Sequence, residues 1–253
     1  VTKDYLLTNL EIDRLQKIYL QQCIRLLKPH RALSYNKVRV GAVRDGGYPI
    51  IDDFDGIKIA VSAGVGIEDT WERQIAAKGI AVKAFDPADV PDDPNRLYEL
   101  NKESFVAYKE ENKTMLDEIL TDYKEYEAIM KIDIEGGEWE IFGHTQNDTL
   151  NKIRQFCCEL HVYENYWKHS DLLLAVLEKI NETFRLVHVH GNNNSDYVTL
   201  FDQNLPLVLE CTFANNNYYD LVTSYEEFPT PLDAPNFKEK GEDIYLGKFT
   251  LPY

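Results

Sequence analysis

The sequence predicts an α/β fold: a mostly parallel sheet with helices on both faces and a reversed last strand. Three observations carry this expectation. Apolar runs alternate with helical stretches from residue 57 to residue 190. The turn after the first such strand is glycine-rich, and Asp86 ends the next strand. Two further strands, 184–190 and 207–215, follow each other with no helical stretch between them, which suits an antiparallel strand finishing a parallel sheet.

Taken in order, residues 11–28 place Ile12, Leu15, Ile18, Tyr19, Cys23, Leu26 and Leu27 at helical spacing, and Pro29 stops the helix. "DGGY" (45–48) reads as a hairpin-like turn. "IKIAVSAG" (57–64), "TWERQIAAKG" (70–79) and "IAVKAFD" (80–86) form one βαβ unit. Residues 87–113 are polar and carry no clear period. "TMLDEILTDY" (114–123) is helical, "AIMKIDI" (128–134) a strand, and "EWEIF" begins a short helix. "IRQFCCELHVY" (153–163) is apolar almost throughout, as a strand buried on both faces should be. "SDLLLAVLEKINE" (170–182) is an amphipathic helix with Ser170 at its N-cap. The chain reads as a single domain, 1–253, with a helical N-terminal extension (1–37) and an irregular, Pro-rich surface tail (225–253).

Composition excludes several classes. The net charge is −16, and no cluster of Lys and Arg offers a groove for phosphates, which argues against nucleic acid and anionic membrane partners. Cys23, Cys157, Cys158 and Cys211 lack the spacing of a zinc site or a disulfide framework and read as buried free thiols. No run approaches the roughly 20 apolar residues of a membrane span, and the first residues lack a signal-peptide core, so the expectation is a cytoplasmic protein.

"VSAGVGIEDTW" puts Gly64 and Gly66 in the strand–helix turn, where a missing side chain lets backbone approach a ligand. Asp86, 20 residues after Gly66, stands where an acid takes the hydroxyls of a ribose. A dinucleotide would need a small residue and an uncluttered helix start; here stand Glu68 and Asp69. Two carboxylates repel a pyrophosphate and suit a cationic ligand such as S-adenosylmethionine. An NAD(P)-dependent oxidoreductase or nucleotide-sugar enzyme on a Rossmann-like fold is the alternative, disfavoured by that charge.

These segments, together with "KTMLDEIL", "MKIDIEGGEWEIF", "ELHVY", "VHVHGNN" and "LPLVLECTF", resemble the FkbM-type S-adenosylmethionine-dependent methyltransferases over roughly residues 38–215. The bacterial members include enzymes that modify surface glycans. The resemblance implies the class I methyltransferase fold, with a seven-stranded sheet. It implies a cofactor wall of Ser62, Ala63, Gly64, Gly66, Glu68, Asp69, Asp86 and Asp133. Ser62 stands where the family usually has an acid, so Glu68 or Asp69 is expected to meet the methionine amino group. The implied activity is O-methylation of a small molecule or glycan precursor, including phosphorylated, nucleotide-linked or phosphoramidate-bearing capsular polysaccharide precursors.

On the acceptor side, Asp133 and Glu135 close the strand 128–134, with Gly136 and Gly137 allowing the turn. Glu135 and Glu138 also stand where acids favour a helix start. Glu159 and His161 alternate on one strand and His188 and His190 on another, so each pair shares a face. Asp133, Glu159, His161 and His190 are the expected catalytic residues. A histidine there could serve as base for a hydroxyl acceptor, or Asp133, His161 and His190 could hold a divalent cation; the sequence is compatible with both. Arg39, Asp45, Tyr48, Glu135, Asn192 and Glu210 are the expected substrate contacts, with Arg39 or Arg44 facing an anionic acceptor. His30, His144 and His169 lie in loop or helix contexts and carry no such expectation.

Overall fold

The structure, a computed structural model, describes residues 18–19, 21–88, 90–107, 114–162, 170–200 and 203–250. His169 and residues 11–17 and 20 of the expected N-terminal helix lie outside these; residues 18–19 and 21–26 are helical. The chain then passes through β1 (His30–Ala32), β2 (Lys37–Val40), β3 (Tyr48–Ile51), β4 (Ile59–Ala63), α1 (Thr70–Ala77), β5 (Ala81–Phe85) and β6 (Glu99–Asn101). It continues through α2 (Met115–Ile119), β7 (Ala128–Ile132), α3 (Glu138–His144), α4 (Asn147–Leu150), β8 (Ile153–His161), α5 (Ser170–Thr183) and β9 (Phe184–Gly191). A hairpin of β10 (Tyr197–Leu200) and β11 (Gln203–Pro206) precedes β12 (Val208–Asn215) and β13 (Leu221–Thr223).

Seven strands form one sheet in the order β6-β5-β4-β7-β8-β12-β9. Neighbours from β6 to β8 are parallel, and β12 runs antiparallel to both β8 and β9. This is the mostly parallel, reversed-strand α/β sheet expected from the alternation of elements. β6, in the polar stretch that carried no period, is the edge strand. Strand order reverses between β4 and β7, and the carboxyl ends on either side of that switch are where such sheets bind ligands.

Each face carries its own core. Val61, Ala63, Met130, Phe156, Cys158 and Leu160 pack against α2, α3 and α5, whose Leu116, Phe142 and Leu177 are buried there. On the other face Ala60, Val82, Ile129 and Cys157 meet Trp71 and Ile75 of α1 and Tyr48 and Ile50 of β3. Adjacent Cys157 and Cys158 thus serve opposite cores, as strand alternation requires. All four cysteines are free and buried. Two buried polar side chains lock β3 onto the sheet. Gln155 exchanges two hydrogen bonds with the Ile51 backbone (2.8 and 2.9 Å), and the Thr212 hydroxyl donates to Pro49 O (2.7 Å).

The tail is irregular but not confined to the surface. Phe228 is fully buried, and Leu246 and Phe249 join the same core, because the α5 side of the sheet leaves an apolar edge for them to cover. Among the described residues no helix is long and apolar enough to cross a membrane.

Candidate active site

A cavity of about 600 Å³ opens at the carboxyl ends of β4, β5 and β7. That is the size range of a small-molecule site. Gly64 and Gly66 form one wall, Asp86 another, and Asp45 and Gly46 reach in from the β2–β3 loop. Gly64 has φ +81°, and a Cβ there would stand 1.7 Å from Asp133 O, so only glycine fits between β4 and β7. Gly66 faces open space. Asp86 braces this turn: its Oδ2 accepts from Val65 N (2.8 Å) and Gly66 N (2.7 Å), and its Oδ1 from Ala88 N (2.7 Å). Among the described residues, Asp45, Glu68, Asp86, Asp133 and Glu135 line the cavity against a single cation, Lys131, which is itself paired with Glu72 at 3.1 Å and donates to Gly64 O at 2.8 Å.

Three expected cofactor contacts do not reach the cavity. The Ser62 hydroxyl is buried and donates to Glu72, while Ala63 packs into the sheet's core. Asp69 points to the far side of α1, where it accepts from Arg73 (2.8 Å) and Tyr98 (2.9 Å). Alternation along β4 and the turn of the helix, not nearness in sequence, decide which side chains face the ligand. Glu68 does line the cavity, accepting a hydrogen bond from Thr70.

Next to Asp133 and Glu135 of the cavity wall lies a polar cluster on the β3 face of the sheet. His161 Nε2 stands 3.1 Å from Glu159, 3.5 Å from Glu135 and 4.0 Å from Asp133. Its Nδ1 is 2.9 Å from Glu138, whose carboxylate also accepts His161 N and Gly136 N, each at 2.9 Å. Glu135 has φ +57°, a left-handed conformation unusual outside glycine, at the turn that brings its carboxylate to His161. Burial draws the His161 pKa down, but the bonds to Glu138 and Glu159 outweigh it and lift it to about 10. Both ring nitrogens thus stand beside carboxylates, Glu138 on one side and Glu159 on the other, an arrangement that favours the protonated ring. Burial and the neighbouring Glu159 push the Asp133 carboxyl well above its usual range. The Tyr48 hydroxyl is buried with no hydrogen-bond partner.

His190 does not join Asp133 and His161. It sits across the sheet, in register with Glu210 and through it with Glu159, and its ring binds Glu210 (2.7 Å) and Asp243 (2.9 Å). These two carboxylates overcome burial and raise its pKa to about 10. Two sets of described residues have ligand atoms all within 4.8 Å of one another, Asp133, Glu159 and His161, and Asp45, Glu159 and Glu210; in the first, Glu159 takes the place expected for His190 in a cation set. Asn192 donates to Glu159 (2.9 Å), and Glu210 accepts from Asn236 (2.6 Å), so both orient the cluster from behind. Arg39 is tied up too: it donates to Ala42 O and Arg44 O at 2.7 Å and Leu232 O at 3.1 Å, holding the β2–β3 loop to the tail.

Sequence reasoning missed the positioning role of Glu138, because acids at a helix start are common, and it missed Lys131 inside an apolar strand. It had no signal for Asp233, Asn236 and Asp243, which the tail delivers to His188, Glu210 and His190.

No curated protein matches the chain. Among solved structures, it is similar to the bifunctional kinase-methyltransferase WbdD. A co-crystal of WbdD with a kinase inhibitor shares 14% identity over 82% of this chain and 41% of that one, with a TM-score of 0.38. A 2.2 Å WbdD structure shares 12% over 88% and 44%, with a TM-score of 0.39. The chain thus spans less than half the length of WbdD. A 1,6-didemethyltoxoflavin-N1-methyltransferase from Burkholderia thailandensis, with bound 1,6-didemethyltoxoflavin and S-adenosylhomocysteine, shares 10% over 63% and 71%, with a TM-score of 0.33. Residues 46–198, more than half of the 253, match the FkbM methyltransferase domain: the chain belongs to that family.

Proposed function

We propose that this chain is an S-adenosylmethionine-dependent O-methyltransferase acting on a hydroxyl of a small molecule or glycan precursor. The observation that carries the reading is the acid-lined cavity at the strand-order switch, with the Asp133–Glu159–His161 cluster joined to it through Asp133. The lining fits the cofactor. Five carboxylates against one paired lysine favour a ligand carrying an ammonium and a sulfonium and repel a pyrophosphate. The family match and this charge together set aside the oxidoreductase alternative. Gly66 leaves backbone open to the cofactor, and Asp86, already fixed by three backbone N–H groups, keeps one lone pair, on Oδ1, for a ribose hydroxyl.

When bound, S-adenosylmethionine supplies a methyl group on a positively charged sulfur, open to in-line displacement. The chain's residues orient an acceptor oxygen against it and receive the acceptor's proton on the cluster, where Asp133 is the member that lines the cavity. The same lining favours an uncharged acceptor portion over a phosphorylated one, since Arg39 is engaged with backbone and Arg44, at the rim, faces Glu68 at 3.8 Å. The buried free thiols suit a reducing, cytoplasmic setting.

Calorimetry with S-adenosylmethionine, S-adenosylhomocysteine and NAD tests the reading. Binding of the first two without the third is expected; tight NAD binding with no response to either sulfur compound would overturn it.

A further inference from the structure

We propose that Asp133, Glu159 and His161 bind one divalent cation beside the cavity, at Asp133 of its wall. The first reason is a mismatch of donors and acceptors. Glu138 is fully buried and accepts two backbone N–H groups, so the ring nitrogen 2.9 Å from it, Nδ1, carries a proton and donates. The other nitrogen, Nε2, then faces Glu159, Glu135 and Asp133, which only accept when ionised. A proton or a cation belongs among them: a second ring proton, a proton on the Asp133 carboxyl, or a metal ion.

The surroundings favour the ion. Ligands about 2.1 Å from one centre stand about 3 Å apart at right angles and about 4.2 Å apart when opposite. The Nε2 separations of 3.1 Å to Glu159 and 4.0 Å to Asp133 fall within that span. A carboxylate behind the remote nitrogen of a histidine is the usual support of a metal ligand, and Glu138 occupies that place. The second oxygen of Glu159 is likewise fixed, by Asn192 at 2.9 Å.

An independent observation comes from β3. The Tyr48 hydroxyl is buried without a partner, and Asp133, Glu159 and Glu210 are the carboxylates whose charge acts on it. A water on a bound ion supplies what this hydroxyl lacks. Two carboxylates suit a hard ion, and the imidazole beside them favours a transition metal such as Mn²⁺ over Mg²⁺ or Ca²⁺. With three protein ligands the ion keeps open positions toward the cavity. Their use by acceptor oxygens rests on the methyltransferase reading; binding of the ion does not.

The test is titration of chelator-stripped protein with MnCl₂ at neutral pH, by calorimetry and by electron paramagnetic resonance. One saturable site per chain is expected, weakened at least 100-fold in Glu159→Gln and roughly 10- to 100-fold in Glu138→Gln. Asp92→Asn, an exposed acid paired with Lys102, controls for diffuse attraction to an acidic chain and should bind as the unaltered protein does. Metal-free Glu159→Gln should melt no lower than the parent, because it removes one of several crowded carboxylates. If it does not fold, Asp133→Asn carries the same binding expectation. No saturable binding, or equal binding in the folded cluster variant, overturns the proposal. S-adenosylhomocysteine titrated into the same preparations separates the two readings. Cofactor binding without Mn²⁺ binding rejects the ion alone, and Mn²⁺ binding without cofactor binding rejects the cofactor assignment alone.

Discussion

Replacing Glu138 with Ala removes the acceptor for three buried donors at once: His161 N, His161 Nδ1 and Gly136 N, each 2.9 Å away. Each stranded donor costs about 1–3 kcal/mol, and water entering the vacated space recovers part of it. The expected loss is about 3–6 kcal/mol, in line with breaking a buried ion pair. Against a usual total of about 5–15 kcal/mol this is a large fraction, so the variant should be compared by urea unfolding in the cold, followed by circular dichroism. Glu138→Gln keeps one oxygen but sets an NH₂ group against a donor, and should fall between Ala and the parent. Its His161 should also bind a proton less tightly, with a pKa below the value of about 10 that Glu138 helps to sustain. Nuclear magnetic resonance of the imidazole reads that shift. An Ala variant that loses less than about 1 kcal/mol would refute the claim that this carboxylate holds His161 in place.

Gly64→Ala should be severely destabilising, since the new Cβ would meet Asp133 O at 1.7 Å. Gly66→Ala faces open space, so it should cost only about 1 kcal/mol of backbone strain while still hindering the cofactor; thermal melts with and without S-adenosylhomocysteine separate the two. Asp86→Ala should weaken S-adenosylhomocysteine binding by roughly 10- to 100-fold and also lower stability, because Asp86 holds Val65 N, Gly66 N and Ala88 N; unchanged affinity in calorimetry would remove the ribose role. The His190 pKa lies at about 10 folded against 6.5 unfolded, so its contribution to stability is complete below pH 6.5 and lost as pH rises toward 10. Urea midpoints across that window should decline in the parent and decline less in His190→Gln; parallel declines would contradict the assignment.

The order of strands and helices was legible because burial on both faces writes long apolar runs into β4, β7 and β8, and amphipathic periods into α1 and α5. The glycine turn and Asp86 were legible for the same local reason: a strand end, a tight turn and a helix start follow one another within a few residues. β6 was not, since an edge strand of three half-exposed residues needs no apolar pattern. Nor was the allocation of side chains at the site. Asp69 and Ser62 lie beside the motif in sequence, yet helix and strand geometry turn them toward Arg73 and Glu72. His190 looks equivalent to His161 in sequence, but the reversed strand β12 inserts Glu210 between their strands and captures it. The tail residues Asn236 and Asp243 reach the site only because apolar anchors such as Phe228 and Leu246 dock the tail on the core. By itself the sequence determined the chain's own periods and turns, which act between near neighbours. Which carboxylates meet which histidines depends on contacts between residues tens of positions apart, and only the tertiary structure decided those.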